Sequence, residues 1–364
     1  MNRRNFLALF GGMPALSAAG GAAWGQGLGL GTVDLAQVAQ PSWQAWKTAY
    51  LEDDGRVIDR LQQNSSHSEG QGYGMVLASE FGDADAFRRM FDWTEATLAI
   101  RGDALLAWRY LPGSAERVPD HNNASDGDLF YAWALLRAAR RFGDDRYQRR
   151  AETIAAALSE RCILPSPHDA DKLLFIPGVQ GFASPGHVII NPSYLMPRAM
   201  RELAAGTGEQ ALATAAQHGE EMLLGLAQDG LVPDWVRVTA DGIEPAEEFG
   251  ASAGYEAMRV PLFLVWSGLT RHPAVLQMLR VYERTVLPGA PVPTRIEPAS
   301  AVVLEASSDP GYRALAALVS CAGRAAEPGM MMPPFDPSQP YYPATLQLLA
   351  TVAANEVSPE CVPL

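Results

Sequence analysis

Apolar side chains recur at helical spacing along most of this 364-residue chain. One stripe runs through Leu129, Tyr131, Ala132, Leu135, Leu136 and Ala139, another through Ala211, Ala215, Met222, Leu223 and Leu226. Alanine enriches such stretches and Gly or Pro separates them, so the pattern predicts about twelve helices. Their ranges are 34–53, 69–80, 84–100, 128–142, 145–161, 192–205, 208–228, 253–268, 271–286, 297–307, 310–324 and 341–355. Two long connections, 163–191 and 229–251, instead carry short β-type runs (LLFIP, HVIIN and LVPDWVRV) beside Pro and Gly. These read as small hairpins or irregular loops.

About twelve helices over about 320 residues make about six helical hairpins of about 54 residues each. Such hairpins can close into a ring with an inner and an outer layer. The expected fold class is therefore all-α. Numbered in order, the second helix is opened by Glu69, the fourth by Asp126, the sixth by NPSYLMP with Tyr194, and the eighth by Glu256. In a closed ring the even-numbered helices form one layer and run the same way, so their first turns gather on one rim. Both long connections lead into even-numbered helices and belong on that rim too.

Composition narrows the partners. The net charge is −13 and no Lys/Arg cluster follows the N-terminus, which argues against nucleic acid. Apolar residues make up 48% of the chain, enough for one large domain over 26–364. Ahead of it, Arg3 and Arg4 precede Asn5, Phe6 and Leu7, and an apolar, small-residue stretch runs to Ala23. Residues 1–25 thus read as an export signal of twin-arginine type, too short to span a membrane comfortably. Cleavage is expected between Ala23 and Gln26, and a periplasmic or secreted location follows. Cys162, Cys321 and Cys361 allow at most one bridge. With no metal-type spacing, phosphate loop or histidine cluster, neither a metal nor another cofactor is expected.

The candidate chemistry is acidic. Ser68 and Gln71 have capping-box spacing around Glu69, and Ser125 with Asp128 repeats it around Asp126. Asp128 is then explained by structure, which leaves Asp126 free to face a cleft. Gly70, Gly72 and Gly74 beside Glu69 leave room for a ligand. Glu69 acting as a proton donor needs burial or a neighbouring negative charge to raise its pKa, and Asp126 can supply that charge. In GYEAMR, Arg259 shares a helical face with Glu256; the pair is either an ordinary intrahelical ion pair or a base with its orienting cation. Phe130, Tyr131 and Trp133 read as core. Trp108, Tyr194 and Trp235 fall in loops or at helix starts, and Tyr73 and Tyr255 adjoin the acids. Flat rings beside hydrogen-bonding groups suit a sugar, whose C–H faces stack while its hydroxyls bond outward.

The segments GRVID (55–59), SEGQGYGM (68–75), FDWT (91–94), NNASDGDLFYAWALL (122–136), NPSYLMP (191–197), PDWVR (233–237) and GYEAMRVP (254–261) resemble glycoside hydrolase family 8. The resemblance covers nearly all of the mature chain and is nearest to the periplasmic endoglucanases that accompany bacterial cellulose synthesis. It implies an (α/α)6 barrel and inverting hydrolysis of a β-1,4-glucan chain. It makes Glu69 the proton donor and Asp126 the signature aspartate, with Tyr194 and Arg259 holding water and substrate. It also raises a cellulose synthase complex as a partner; the chain itself is expected to be a monomer. Two positions depart from the family pattern: Tyr131 stands where Ile or Met is usual, and Glu256 where related cellulases carry an Asp base. The extra methylene leaves open whether Glu256 or Asp126 is the base. Rival expectations keep the fold but exchange the substrate for chitosan, xylan or mixed-linkage glucan, or make the protein a catalytically weak glycan-binding barrel.

Overall fold

The helices divide into two kinds by what they bury. A computed structural model describes residues 34–287, 289–324 and 330–362; the expected export signal, 1–25, lies outside them. After the one-turn helix α1 (Leu35–Val38) come α2 (Gln40–Tyr50), α3 (Ser68–Glu80), α4 (Ala84–Thr97), α5 (Ser125–Phe142) and α6 (Asp145–Arg161). The rest are α7 (Pro197–Thr207), α8 (Gln210–Asp229), α9 (Arg259–Trp266), α10 (Pro273–Thr285), α11 (Pro310–Gly323) and α12 (Tyr341–Val357). In α12 every residue from Pro343 to Asn355 is buried, and all of α9 is buried. By contrast, α4 buries only Ala86, Phe87, Met90 and Thr94, a single stripe. A helix buried all round belongs inside and a one-striped helix usually outside; α7, which buries only Pro197, Ala199, Met200, Leu203 and Ala204, takes its place from its neighbours instead.

The inner helices close a ring. α3 packs on α5, α5 on α7, α7 on α9, α9 on α11, α11 on α12, and α12 returns to α3. Outside them, α2 backs α12, α4 backs α3, α6 backs α5, α8 backs α7, and α10 lies against α9 and α11. This is the (α/α)6 barrel. α5 stops at Gly143, whose φ of 71° is left-handed and cheap only for glycine. α7, α10 and α11 each start on a proline, whose missing N–H has no helical partner at that position anyway.

The layer assignment of helices two, four, six and eight holds, since they are α3, α5, α7 and α9. One expected helix does not exist. Residues 297–307 form a turn and a strand: β9 (Val292–Ile296) pairs antiparallel with β10 (Val303–Ser307). β10 exposes Val303, Leu304 and Glu305 and turns no apolar stripe to the barrel, so packing never selects a helix there. The alternation of layers therefore slips. The segment 310–324, expected outside, is the inner helix α11, and the described residues between α11 and α12 contain no outer helix.

The long connections form strands as expected, but largely with each other. β5 (Ala183–Ser184) and β6 (His187–Ile190) from the first join β7 (Val236–Thr239) and β8 (Gly242–Pro245) from the second in one antiparallel sheet. The remaining pairs are β1 (Ser66–His67) with β2 (Arg109–Tyr110), and β3 (Ile163–Pro165) with β4 (Leu173–Phe175). Cys321 and Cys361 form a disulfide, and Cys162 is a buried free thiol.

Glycines let neighbouring helices approach α3. A Cβ on Gly72 would lie 2.9 Å from the backbone nitrogen of Tyr131, and one on Gly74 would lie 2.8 Å from Met90 Sδ. These glycines serve α3 packing and do not make room for a ligand. A Cβ on Gly127 would lie 2.1 Å from Ser68 Oγ and 2.7 Å from the Glu69 nitrogen. Gly127→Ala should therefore destabilise the protein by about 1–3 kcal/mol. Gly225→Ala, within α8 where nothing lies within 4 Å of the new methyl, should stabilise it by about 0.5–1 kcal/mol. Denaturant melts of the two variants are expected to shift in opposite directions.

Candidate active site

The rim at the N-terminal ends of the inner helices carries the acids. Glu69 and Asp126 are the second residues of α3 and α5, and Gly127 brings those two starts into contact. Arg259 is the first residue of α9 and is only 1% exposed. Its guanidinium joins the set. Nη1 donates to Glu69 Oε2 and to Tyr73 Oη at 3.1 Å, and stands 3.5 Å from Asp126 Oδ2. Nη2 donates to Glu256 Oε2 and to Ser193 Oγ at 2.8 Å. Tyr194 presents its ring 5.7 Å from the guanidinium carbon, close enough for a cation–π contact.

Glu256 arrives differently from expectation. It lies in a turn ahead of α9, outside the helix's first turn. Tyr194 likewise ends a short 3-10 turn, Pro192–Tyr194, and α7 starts only at Pro197. This turn places Asn191 and Ser193 beside Glu256, whose Oε2 accepts from Asn191 Nδ2 at 2.9 Å and from Ser193 Oγ at 3.3 Å. Neither residue was singled out from the sequence, although both sit in or next to a motif that was.

The two expected capping boxes are absent. His67 caps α3 by accepting from the Gly70 nitrogen, while Gln71 turns inward to Val57, Gly55, Met90 and Thr94. Ser125 Oγ donates to the Ile176 carbonyl. Asp128 accepts from the Leu106 nitrogen at 2.8 Å and from Asn123 Nδ2 at 2.9 Å. Most of these partners lie in other segments of the chain, where local spacing does not reveal them. The division of labour still stands, with Asp128 structural and Asp126 in the acid cluster.

Glu69, Glu256 and Arg259 line a single cleft of about 400 Å³ together with Tyr255, Tyr312 and Tyr342. A volume of this order suits a small-molecule or chain-binding site. Tyr255 is 44% exposed on the wall, and its carbonyl accepts from Tyr342 Oη. Tyr73 is wholly buried and meets the site only through Arg259. Trp108 is half-buried near Glu69, since its carbonyl accepts from the Ser68 nitrogen. Its indole donates to Asp120, and Arg109 covers one ring face at 4.4 Å. Trp235 stacks with Phe249 at 4.7 Å and with Phe182 at 6.0 Å, and its ring centroid lies 6.3 Å from that of Tyr194. The tryptophans thus flank the acid cluster, each with some of its ring surface already engaged.

The family profile of glycosyl hydrolases family 8 matches residues 21–356. The chain belongs to glycosyl hydrolases family 8. A probable endoglucanase of Novacetimonas hansenii is 30% identical over 94% of this chain and 99% of its own length. An endoglucanase of Cellulomonas uda is 36% identical over 65% of this chain, and the match spans 66% of that relative. In three dimensions the endo-β-1,4-glucanase CMCax of Acetobacter xylinum superposes with a TM-score of 0.80 at 29% identity, covering 89% of this chain and 99% of that one.

Electrostatics separates the carboxylates of this family 8 site. Burial pushes Asp126 well above the usual carboxylate range, and the charge of Glu69 pushes it further, against the pull of Arg259. Burial likewise raises the Tyr73 and Tyr194 phenols. Asp128, sealed from water, is pushed up to about 7 from 3.8, again mainly by burial. The folded chain thus binds the Asp128 proton more tightly than the unfolded chain does. Its contribution to stability is full below about pH 4 and declines as pH rises to about 7. Wild type should lose more thermal stability across that window than Asp128→Asn, in melts taken at matched ionic strength.

Proposed function

We propose that the protein is an exported endo-β-1,4-glucanase that cleaves internal bonds of a glucan chain by single displacement with inversion. The observation that carries this reading is that Glu69 and Glu256 open onto one cleft, with Arg259 between them. Glu69 gives its proton to the glycosidic oxygen as the C–O bond breaks. Glu256 takes a proton from the water that forms the new bond at the anomeric carbon. Inverting pairs stand about 6.5–9.5 Å apart to admit that water.

Glu256 suits the base role better than Asp126. Its side chain is 34% exposed, against 2% for Asp126. Three donors (Asn191, Ser193 and Arg259) converge on Oε2 and fix its position. Asp126, buried and biased toward its protonated form, is suited to hydrogen-bonding the sugar at the cleavage point. Trp108 and Trp235 supply stacking surfaces on either flank, with Tyr194 and Tyr255 nearer the bond.

The charged, then apolar N-terminus supports action in the periplasm or outside the cell, as does the Cys321–Cys361 disulfide. The motif resemblance supports association with a cellulose synthase complex, with the enzyme itself a monomer.

Glu69→Gln should abolish release of reducing ends from soluble carboxymethylcellulose while leaving cello-oligosaccharide binding largely intact. Unchanged hydrolysis by that variant would refute the assignment. In wild type, NMR at early times should show the α-anomer as first product; a β-anomer would exclude single displacement.

A further inference from the structure

Glu256 has no regular helix beneath it, so something else must fix its backbone. Ala253 anchors one end of the segment through two hydrogen bonds with Ile296 of β9, each 2.9 Å. The other anchor is the Asp234 carboxylate. Its Oδ1 accepts from the Gly254 nitrogen at 2.8 Å and from the Ala257 nitrogen at 2.8 Å, bracketing Glu256. The Asp234 nitrogen also donates to the Ser252 carbonyl at 2.9 Å. Gly254 is built for this approach: a Cβ there would lie 2.7 Å from Asp234 Oδ2. Burial is the main cause that raises the pKa of Asp234, and Glu256 adds to it. A carboxylate is thus an expensive way to cap a turn that a neutral side chain also caps.

We infer that Asp234 is a positioning residue for the base: it holds the 254–257 turn at the height that puts Glu256 Oε2 against Asn191, Ser193 and Arg259. This inference rests on the reading of Glu256 as the base. Asp234 is not among the residues that line the cleft. The residue after it, Trp235, enters the aromatic cluster with Phe182 and Phe249. The same short segment therefore ties a stacking wall to the backbone of the base. With that turn fixed, the extra methylene of Glu256 is accommodated by the side chain alone.

The test uses the full chain with Asp234→Ala, Asp234→Asn and Gly254→Ala, assayed on carboxymethylcellulose alongside wild type. A misplacement of about 1 Å costs about 100-fold in rate. Asp234→Ala should lose about 10- to 100-fold in kcat with KM within about twofold. Asp234→Asn keeps one acceptor oxygen and should recover much of the loss. Gly254→Ala pushes the carboxylate away without removing it and should reproduce the Ala signature, which keeps the test decisive if Asp234→Ala fails to fold. The role is overturned if Asp234→Ala and Gly254→Ala fold and keep kcat, or if their loss falls on KM. Wild type that releases no reducing ends would instead remove the hydrolase reading itself.

Discussion

One buried cation organises the working end of the molecule. Arg259 meets Glu69, Asp126 and Glu256 on three separate segments, with a side chain only 2% exposed. Charges taken out of water in this way persist only where geometry and further hydrogen bonds compensate, and removing one partner of such a pair costs about 3–5 kcal/mol. Ser193, Tyr73 and the Tyr194 ring provide those further contacts. The starts of the inner helices add partial positive charge where the carboxylates gather. Three acids around one arginine still leave an excess of negative charge, and burial resolves it by biasing Asp126 toward its protonated form.

The opposite end of the barrel is closed by charges that pair with one another. Arg137 of α5 pairs with Glu80 of α3 and Glu356 of α12, and Arg198 of α7 pairs with Glu202 and Glu356. Trp133 and Trp266 donate into the same cluster. Similar chemistry thus locks the ring at its base, while a cleft stays open at its rim. The β5–β8 sheet and the β9–β10 hairpin hold the loops that shape that cleft, and the turn carrying Glu256 hangs from both.

Much of this was legible in the residues, and the failures have a common cause. The apolar stripes of α5 and α8 located helices, and the even-numbered positions of Glu69, Asp126, Tyr194 and Glu256 placed them correctly on one rim. The motifs around them led to the family. Segment 297–307 failed because its Ala, Glu and Leu content favours a helix while its side chains face solvent in a hairpin, where no packing enforces that propensity. The capping boxes failed because Gln71, Ser125 and Asp128 turn their side chains to other segments of the chain, while Ser68 Oγ packs against Gly127. Gly72 and Gly74 were read as local space when they mark contacts between helices, with α5 and with α4 respectively. Asp234 and Asn191 went unnoticed for the same reason: the contacts that tie them to the Glu256 turn are with residues more than fifteen positions away.

The central claim is that one glucan chain crosses the rim with its scissile bond between Glu69 and Glu256. A crystal structure of Glu69→Gln soaked with a cello-oligosaccharide tests it most directly. The account predicts a sugar distorted over Asp126, the bridging oxygen beside residue 69, and a water between the anomeric carbon and Glu256. An oligosaccharide bound on another surface, or lying in the cleft with Glu256 turned away from its anomeric carbon, would contradict it.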